Sequence, residues 1–287
     1  MPHTPLVTAA LLASHLGERD WLPVDCRFEL ADPGAGQRAF AQGHVPGAVY
    51  AHLDRDLSGA RGPRTGRHPL PDPAIFAARC AALGIGPGVR VVAYDDTAGL
   101  FAARLWWLLR AVGHGEVAVL DGGLAAWRHA QLPLTTVPTE PRAQPAWAPK
   151  SPVGAVTGDE VAALLGAAQC RLLDVRARER YTGETEPLDP VAGHVPGAYN
   201  LPQSGNLRSD GHFLSAAQLR ARYEQALGRF PASAAVVMCG SGVTACHSLL
   251  ALELAGLAGA RLYAGSWSEW CRQPERPIAT GPSPPFT

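Results

Sequence analysis

Ala234-Ala235-Val236-Val237-Met238-Cys239-Gly240-Ser241-Gly242-Val243-Thr244 compresses a strand, a turn and a helix start into eleven residues. The apolar run from Ala234 to Met238 is too short for a helix and is bounded by turn residues, as a buried strand should be. Val243 to Ala255 then carries apolar residues at helical spacing, and Ala260 to Tyr263 reads as the next strand. Strand, helix, strand in this order predicts parallel strands in an α/β sheet with helices on both faces. The same order occurs earlier in the chain, with strands at Val89–Tyr94 and Val117–Leu120 around a helix at Leu100–Val112.

The second occurrence is a true repeat. Gly43-His44-Val45-Pro46-Gly47-Ala48 returns as Gly193-His194-Val195-Pro196-Gly197-Ala198. Upstream, Val24-Asp25-Cys26-Arg27 matches Leu173-Asp174-Val175-Arg176. Downstream, Asp121-Gly122-Gly123 with Trp127 matches Ala264-Gly265-Ser266 with Trp270. Three blocks in the same order imply a duplicated domain, and 287 residues are enough for two. The expected division is 1–135 for the first domain, 136–153 for a linker and 154–287 for the second. Prolines at 133, 138, 141, 145, 149 and 152 make the connector extended and stiff. The Pro-rich tail from Pro274 to Thr287 is expected to wrap loosely or to be mobile.

Composition narrows the function. Hydrophobic residues are 47% of the chain, sufficient for ordinary cores. Lys plus Arg and Asp plus Glu are 25 each, so the formal charge is zero and no overall field draws nucleic acid or an anionic membrane. Met1-Pro2-His3-Thr4-Pro5 does not resemble a basic, then apolar leader, and the expectation is a soluble, cytoplasmic protein. Six cysteines without a C-x-x-C pair argue against structural zinc, and most should be buried core residues.

Cys239 stands apart because of its loop. Glycines at 240 and 242 allow positive φ, successive N–H groups in such a turn form an anion-holding nest, and the helix that follows adds its unpaired N–H groups. Such a cradle favours a thiolate nucleophile. A buried cysteine followed by a glycine turn would look the same in these residues alone; the place at the carboxyl end of a strand, where α/β sheets bind ligands, argues for chemistry. A cysteine phosphatase would need Arg where Ala245 and Cys246 stand, and neither a dinucleotide fingerprint nor a P-loop fits. In the first repeat, aligning Gly99 with Gly242 sets Asp96 opposite Cys239. A carboxylate there would repel an anion and is no thiolate nucleophile, so that domain is expected to be degenerate.

With the paired G-H-V-P-G-A motifs, Trp106-Trp107 before Gly113-His114, Asp121-Gly122-Gly123-Leu124 with Trp127, Cys239-Gly-Ser-Gly-Val-Thr-Ala-Cys246 and Gly265-Ser-Trp-Ser-Glu-Trp270, the chain resembles the tandem rhodanese family of thiosulfate and 3-mercaptopyruvate sulfurtransferases. The resemblance implies a persulfide on Cys239, loaded by a small sulfur donor and emptied by a thiophilic acceptor such as cyanide, a thiol or thioredoxin, with no metal or organic cofactor. It implies a loop of Gly240, Gly242, Val243 and Thr244 around the substrate, a substrate-binding Arg180, and a proton relay of Ser241, His68 and Asp54. Asp54 and His68 could equally serve only to bond their loops. The neutral residues after Cys239 are similar to the mercaptopyruvate type. That type also carries a second Arg about nine residues beyond the first, where this chain has Glu184-Thr185-Glu186-Pro187-Leu188-Asp189, so the donor stays open between mercaptopyruvate and thiosulfate. The alternative to an enzyme of small donors is a protein-to-protein persulfide carrier or binding module with weak small-molecule turnover. His44 and His194 are expected to bond their own turns, and Cys246 to sit in the core.

Overall fold

The computed structural model describes residues 4–145, 147–150 and 153–282. The chain forms two compact units, and neither is a continuous stretch. The first takes residues up to Gly59, Leu70–Val153 and Arg208–Phe213; the second takes Ala60–Pro69, Gly154–Leu207 and Leu214 onward.

Each unit holds a five-stranded parallel sheet flanked by helices. In the first, the strands are β1 (Leu6–Val7), β2 (Trp21–Asp25), β3 (Val49–Tyr50), β4 (Arg90–Tyr94) and β5 (Val117–Leu120), in the order β1-β5-β4-β2-β3. The second repeats the pattern with β6 (Ala155–Val156), β7 (Arg171–Asp174), β8 (Tyr199–Asn200), β9 (Ala235–Met238) and β10 (Arg261–Tyr263), ordered β6-β10-β9-β7-β8. Every strand of β9 and β5 is buried along its length, which is why these segments read as unbroken apolar runs and not as alternation.

The helices of the first unit are α1 (Ala9–Ser14), α2 (Ala35–Gln42), α3 (Pro73–Ala82), α4 (Ala102–Ala111) and α5 (Gly123–His129). Those of the second are α6 (Gly158–Gly166), α7 (Arg178–Thr182), α8 (Ala216–Leu227), α9 (Thr244–Leu254) and α10 (Ser266–Trp270). Their starts follow local chemistry. Asp72 caps α3 through the N–H groups of Ala74 and Ile75, with Pro73 pre-set for the first turn. Thr157 with Glu160 and Ser215 with Gln218 form reciprocal capping boxes on α6 and α8. In α9, Ala245 through Leu252 are all buried, the mark of a helix enclosed on all sides. Among the described residues no helix is long and apolar enough to cross a membrane.

The repeated motifs form one clasp per unit. Arg27 and Arg176 each grip the buried aspartate two residues before them, Asp25 and Asp174, with Nη2–Oδ2 distances of 2.6 Å in both. The same Nη2 atoms reach the carbonyls of Gly43 and Gly193 at 2.8 and 2.7 Å, which open the G-H-V-P-G-A turns. His44 Nδ1 bonds Phe40 O, and His194 Nδ1 bonds Tyr181 O, each at 2.8 Å with the rings stacked. These histidines have a structural role, as expected, but their rings tie the turn to the helix before it, α2 or α7, and do not bond the turn itself. Trp127 Nε1 donates to Pro133 O and Trp270 Nε1 to Pro277 O, both at 2.9 Å. The chain then pairs back onto the histidine, Thr135 with His44 and Ala279 with His194. The tail from Pro274 is therefore docked through residue 281, where Gly281 N–H bonds Thr182 O, and not loose there as its prolines suggested; residues 283–287 lie outside the described residues. Proline removes its own donor, but its carbonyl still accepts.

Candidate functional site

Strand register fixes what stands opposite Cys239. Asp174 pairs with Met238, and Asp25 pairs with Tyr94. The residues that follow, Cys239 and Asp95, are structural equivalents. The alignment on Gly99 pointed to Asp96 instead, which is an exposed residue. The error has a simple cause: the first loop runs from Asp95 to the left-handed Gly99, one residue longer than Cys239 to the left-handed Gly242.

Asp95 is fully buried, and its carboxylate fills the cradle. Oδ1 accepts the N–H groups of Thr97 and Gly99, and Oδ2 those of Phe101 and Ala102, at 2.8 to 2.9 Å. Burial pushes the Asp95 carboxyl above its usual range, against the pull of those four donors. A buried carboxylate is costly unless hydrogen-bonded, and here the loop backbone and the start of α4 supply the bonds.

In the second unit the same position carries a thiol. Cys239 is 2% exposed. Its N–H donates to Ser266 Oγ at 3.1 Å, and its carbonyl accepts the Trp267 N–H at 3.0 Å. Gly240 O accepts the Ser268 N–H at 2.9 Å. The start of α10 thus pins the loop. Ser266 has φ +52, a left-handed conformation uncommon outside glycine, and its hydroxyl also donates to Tyr263 O at 2.8 Å. The equivalent residue in the first repeat is Gly123, φ +57. Beyond the loop lie Val243, buried, and Thr244, the first residue of α9. Cys246 is buried, with its S–H donating to Gly242 O at 3.3 Å.

The two loop glycines have different reasons to be glycine. Gly242 has φ +75, and a Cβ there would stand 2.3 Å from Ala264 O. Gly240 is absent from the positive-φ residues, contrary to the expectation that both curl the chain. A Cβ on Gly240 would instead meet Arg67 Nη2 at 2.9 Å and Arg180 Nη1 at 3.4 Å. It makes room for guanidinium groups.

Arg67 and His68 come from the segment that groups with the second unit. Arg67 N–H donates to Ser268 Oγ at 3.0 Å, and Arg272 Nη1 donates to Thr65 O at 3.3 Å. A Cβ on Gly66 would lie 2.5 Å from Gly265 O, so only glycine allows this close approach. The arrangement delivers His68, 1% exposed, to Ser241, 6% exposed, with Nδ1 and Oγ 2.8 Å apart. Asp54 lies in a turn of the first unit, where its N–H donates to His52 Nδ1 at 3.1 Å.

Three arginines and their carboxylates line the same region. Arg180 holds Glu186 by Nη2 at 2.6 Å and by Nε at 3.2 Å, and approaches Asp189 Oδ2 at 3.4 Å. Arg67 Nη1 forms an ion pair with the other oxygen of Asp189. Arg176 joins through Glu186 Oε2 at 3.4 Å; burial works against its charge, and Asp174 more than restores it. Arg178, two residues before Arg180, is exposed. Sequence reading took Arg180 but missed Arg67, Ser266 and Ser268. Arg67 was visible beside His68, but nothing in the one-dimensional pattern says that it folds back onto α10.

Both halves of the chain match the Rhodanese-like domain, at residues 8–130 and 157–273. The chain is 50% identical over 285 residues to a probable 3-mercaptopyruvate sulfurtransferase of Pseudomonas aeruginosa, covering 98% of this chain and 100% of the relative. It is 35% identical over 282 residues to human 3-mercaptopyruvate sulfurtransferase, covering 96% and 93%. Its fold matches that of the 3-mercaptopyruvate sulfurtransferase from Leishmania major with a TM-score of 0.85 at 32% identity, over 97% of this chain and 77% of the other. A duplicated parallel sheet, a thiol at the strand end of one copy and relatives matched along nearly their whole length place the chain in the family of tandem-domain rhodanese sulfurtransferases.

Proposed function

We propose that this sulfurtransferase moves sulfane sulfur from a small anionic donor, 3-mercaptopyruvate or thiosulfate, to a thiophilic acceptor through a persulfide on Cys239. One observation carries the reading. The sister loop holds its own carboxylate through four N–H groups, and Cys239 stands at the same place on the same strand end. A loop of that kind, with Gly240, Gly242, Val243 and Thr244, suits the terminal sulfur of a persulfide, which is more acidic than a thiol.

The chemistry balances with each donor. The Cys239 thiolate attacks the outer sulfur of thiosulfate, the S–S bond breaks and sulfite leaves with the electron pair. With mercaptopyruvate the C–S bond breaks, and a proton must pass from sulfur to the departing carbon to give pyruvate. Ser241 and His68, 2.8 Å apart, fit that proton movement, with Asp54 as the proposed third member. Arg180 is the proposed anchor of the donor's anionic group. Cyanide or a thiol then takes the terminal sulfur and restores the thiolate; thioredoxin is a proposed physiological thiol. The burial of Cys239 favours loading by a small donor over loading from the persulfide of another protein. Six cysteines free of disulfides suit a reducing cytoplasm.

The test is thiocyanate formation from cyanide with each donor, for the wild type and Cys239→Ser. Activity with at least one donor, lost by at least about 1000-fold in the variant, is expected. Turnover that survives in Cys239→Ser would mean another nucleophile.

A further inference from the structure

We propose that Arg67 is the second arm of the donor-binding clamp beside Arg180, and that Asp189, held between them, sets the clamp's charge so that a monoanionic donor is preferred over a dianion. This deepens the sulfur-transfer reading above and rests on it.

Two guanidinium groups converge on one glycine. Arg67 Nη2 and Arg180 Nη1 lie 2.9 and 3.4 Å from where a Cβ on Gly240 would stand, one residue from the nucleophile. Each group is held on another nitrogen by a carboxylate that is almost fully buried: Asp189, 0% exposed, for Arg67, and Glu186, 3% exposed, for Arg180. The Arg67 side chain is itself only 14% exposed, and its buried Nε has no hydrogen-bond partner among the described residues. Leaving a guanidinium donor dry and unpaired is costly. Arg67 Nη2 faces Gly240, so an anion lying over the loop would meet this guanidinium, whose planar fork suits a carboxylate or a sulfonate edge.

The charge count points to the kind of anion. Arg67, Arg176 and Arg180 are matched by Asp174, Glu186 and Asp189, so the cluster is neutral before the donor arrives. A neutral clamp keeps the directional donors but little net positive field. A monocarboxylate with a neutral thiol brings one negative charge beside the Cys239 thiolate; thiosulfate brings two, and the second is repelled without compensation. Asp189 is the residue that withholds the extra charge, because it alone bridges both arms.

Steady-state kinetics with both donors, on the full chain, tests this. Asp189→Asn keeps the size and one acceptor oxygen but adds one net positive charge. Its ratio of kcat/KM for thiosulfate over mercaptopyruvate should rise about tenfold; a purely structural role would lower both donors alike, and an unchanged ratio would overturn the charge argument. Arg67→Gln should raise KM for both donors about tenfold or more, with kcat changed less than about threefold. Because that variant leaves the buried Asp189 with Arg180 alone, at 3.4 Å, and could fold poorly, the neutral pair Arg67→Gln with Asp189→Asn is measured beside it. An unchanged KM in the folded double variant would remove Arg67 from the clamp. Failure of the underlying reading looks different: wild-type turnover would then not depend on Cys239 at all.

Discussion

The carboxyl ends of β4 and β9 present nearly the same backbone with opposite fillings. In the first unit the cradle is closed by a carboxylate covalently attached to the chain, with four N–H groups spent on it. In the second the equivalent position carries a small thiol, and the loop is braced from behind by Ser266, Trp267 and Ser268. The same device thus serves cohesion in one copy and, in the function proposed above, chemistry in the other. What separates them is whether the anion belongs to the chain or can be delivered and removed.

The strongest way to break this comparison is to make the second loop a copy of the first. Cys239→Asp should abolish thiocyanate formation with either donor, by at least about 1000-fold. If the cradle is a general anion holder, the thermal midpoint should stay within about 5 °C of wild type. A collapse in stability would mean that the two loops differ in more than their side chains. The reverse side of the comparison is Asp95→Asn. The amide keeps the shape but offers one acceptor oxygen to four donors and turns an NH2 toward the others. Urea unfolding should show a loss of about 3 kcal/mol, since a hydrogen-bonded charge in a buried site is removed; a loss below about 1 kcal/mol would show that water or neighbouring groups satisfy those N–H groups just as well.

A finer test asks what the second loop adds beyond the thiol. Ser241→Ala removes the partner of His68. Mercaptopyruvate turnover should fall about 100-fold, whereas thiosulfate, whose cleavage moves no proton to carbon, should change less than about threefold. Equal losses for the two donors would reduce Ser241 to a loop-bonding residue.

Much of this was legible in one dimension because it repeats. The buried strands show as apolar runs, and the D-x-R and G-H-V-P-G-A blocks recur because Arg27 and Arg176 clasp the same carbonyl in each unit. The place of Cys239 at the end of a buried strand was legible from the apolar run before it. Asp95 was not, because one inserted residue shifts the loop and only the strand register resolves which aspartate is inside. Arg67 was missed for a different reason. It lies in residues 60–69, which precede the rest of the second unit by more than eighty residues of first-unit chain, and contacts of that sequence separation leave no periodic trace. The role of Gly240 was misread because glycine signals both unusual φ and close approach, and only the neighbouring guanidinium groups tell which applies.

Each repeat also finishes with its own latch, a tryptophan indole holding a proline carbonyl before the chain pairs back onto the motif histidine. Neither latch passes through the sulfur loop or its counterpart. A duplication that copies such a cassette copies its closure as well, so one heir can surrender the ancestral trade and still stand as a folded neighbour. In the first repeat the place of the thiol is taken by a keystone, the Asp95 carboxylate, and the closure around it is complete without a thiol.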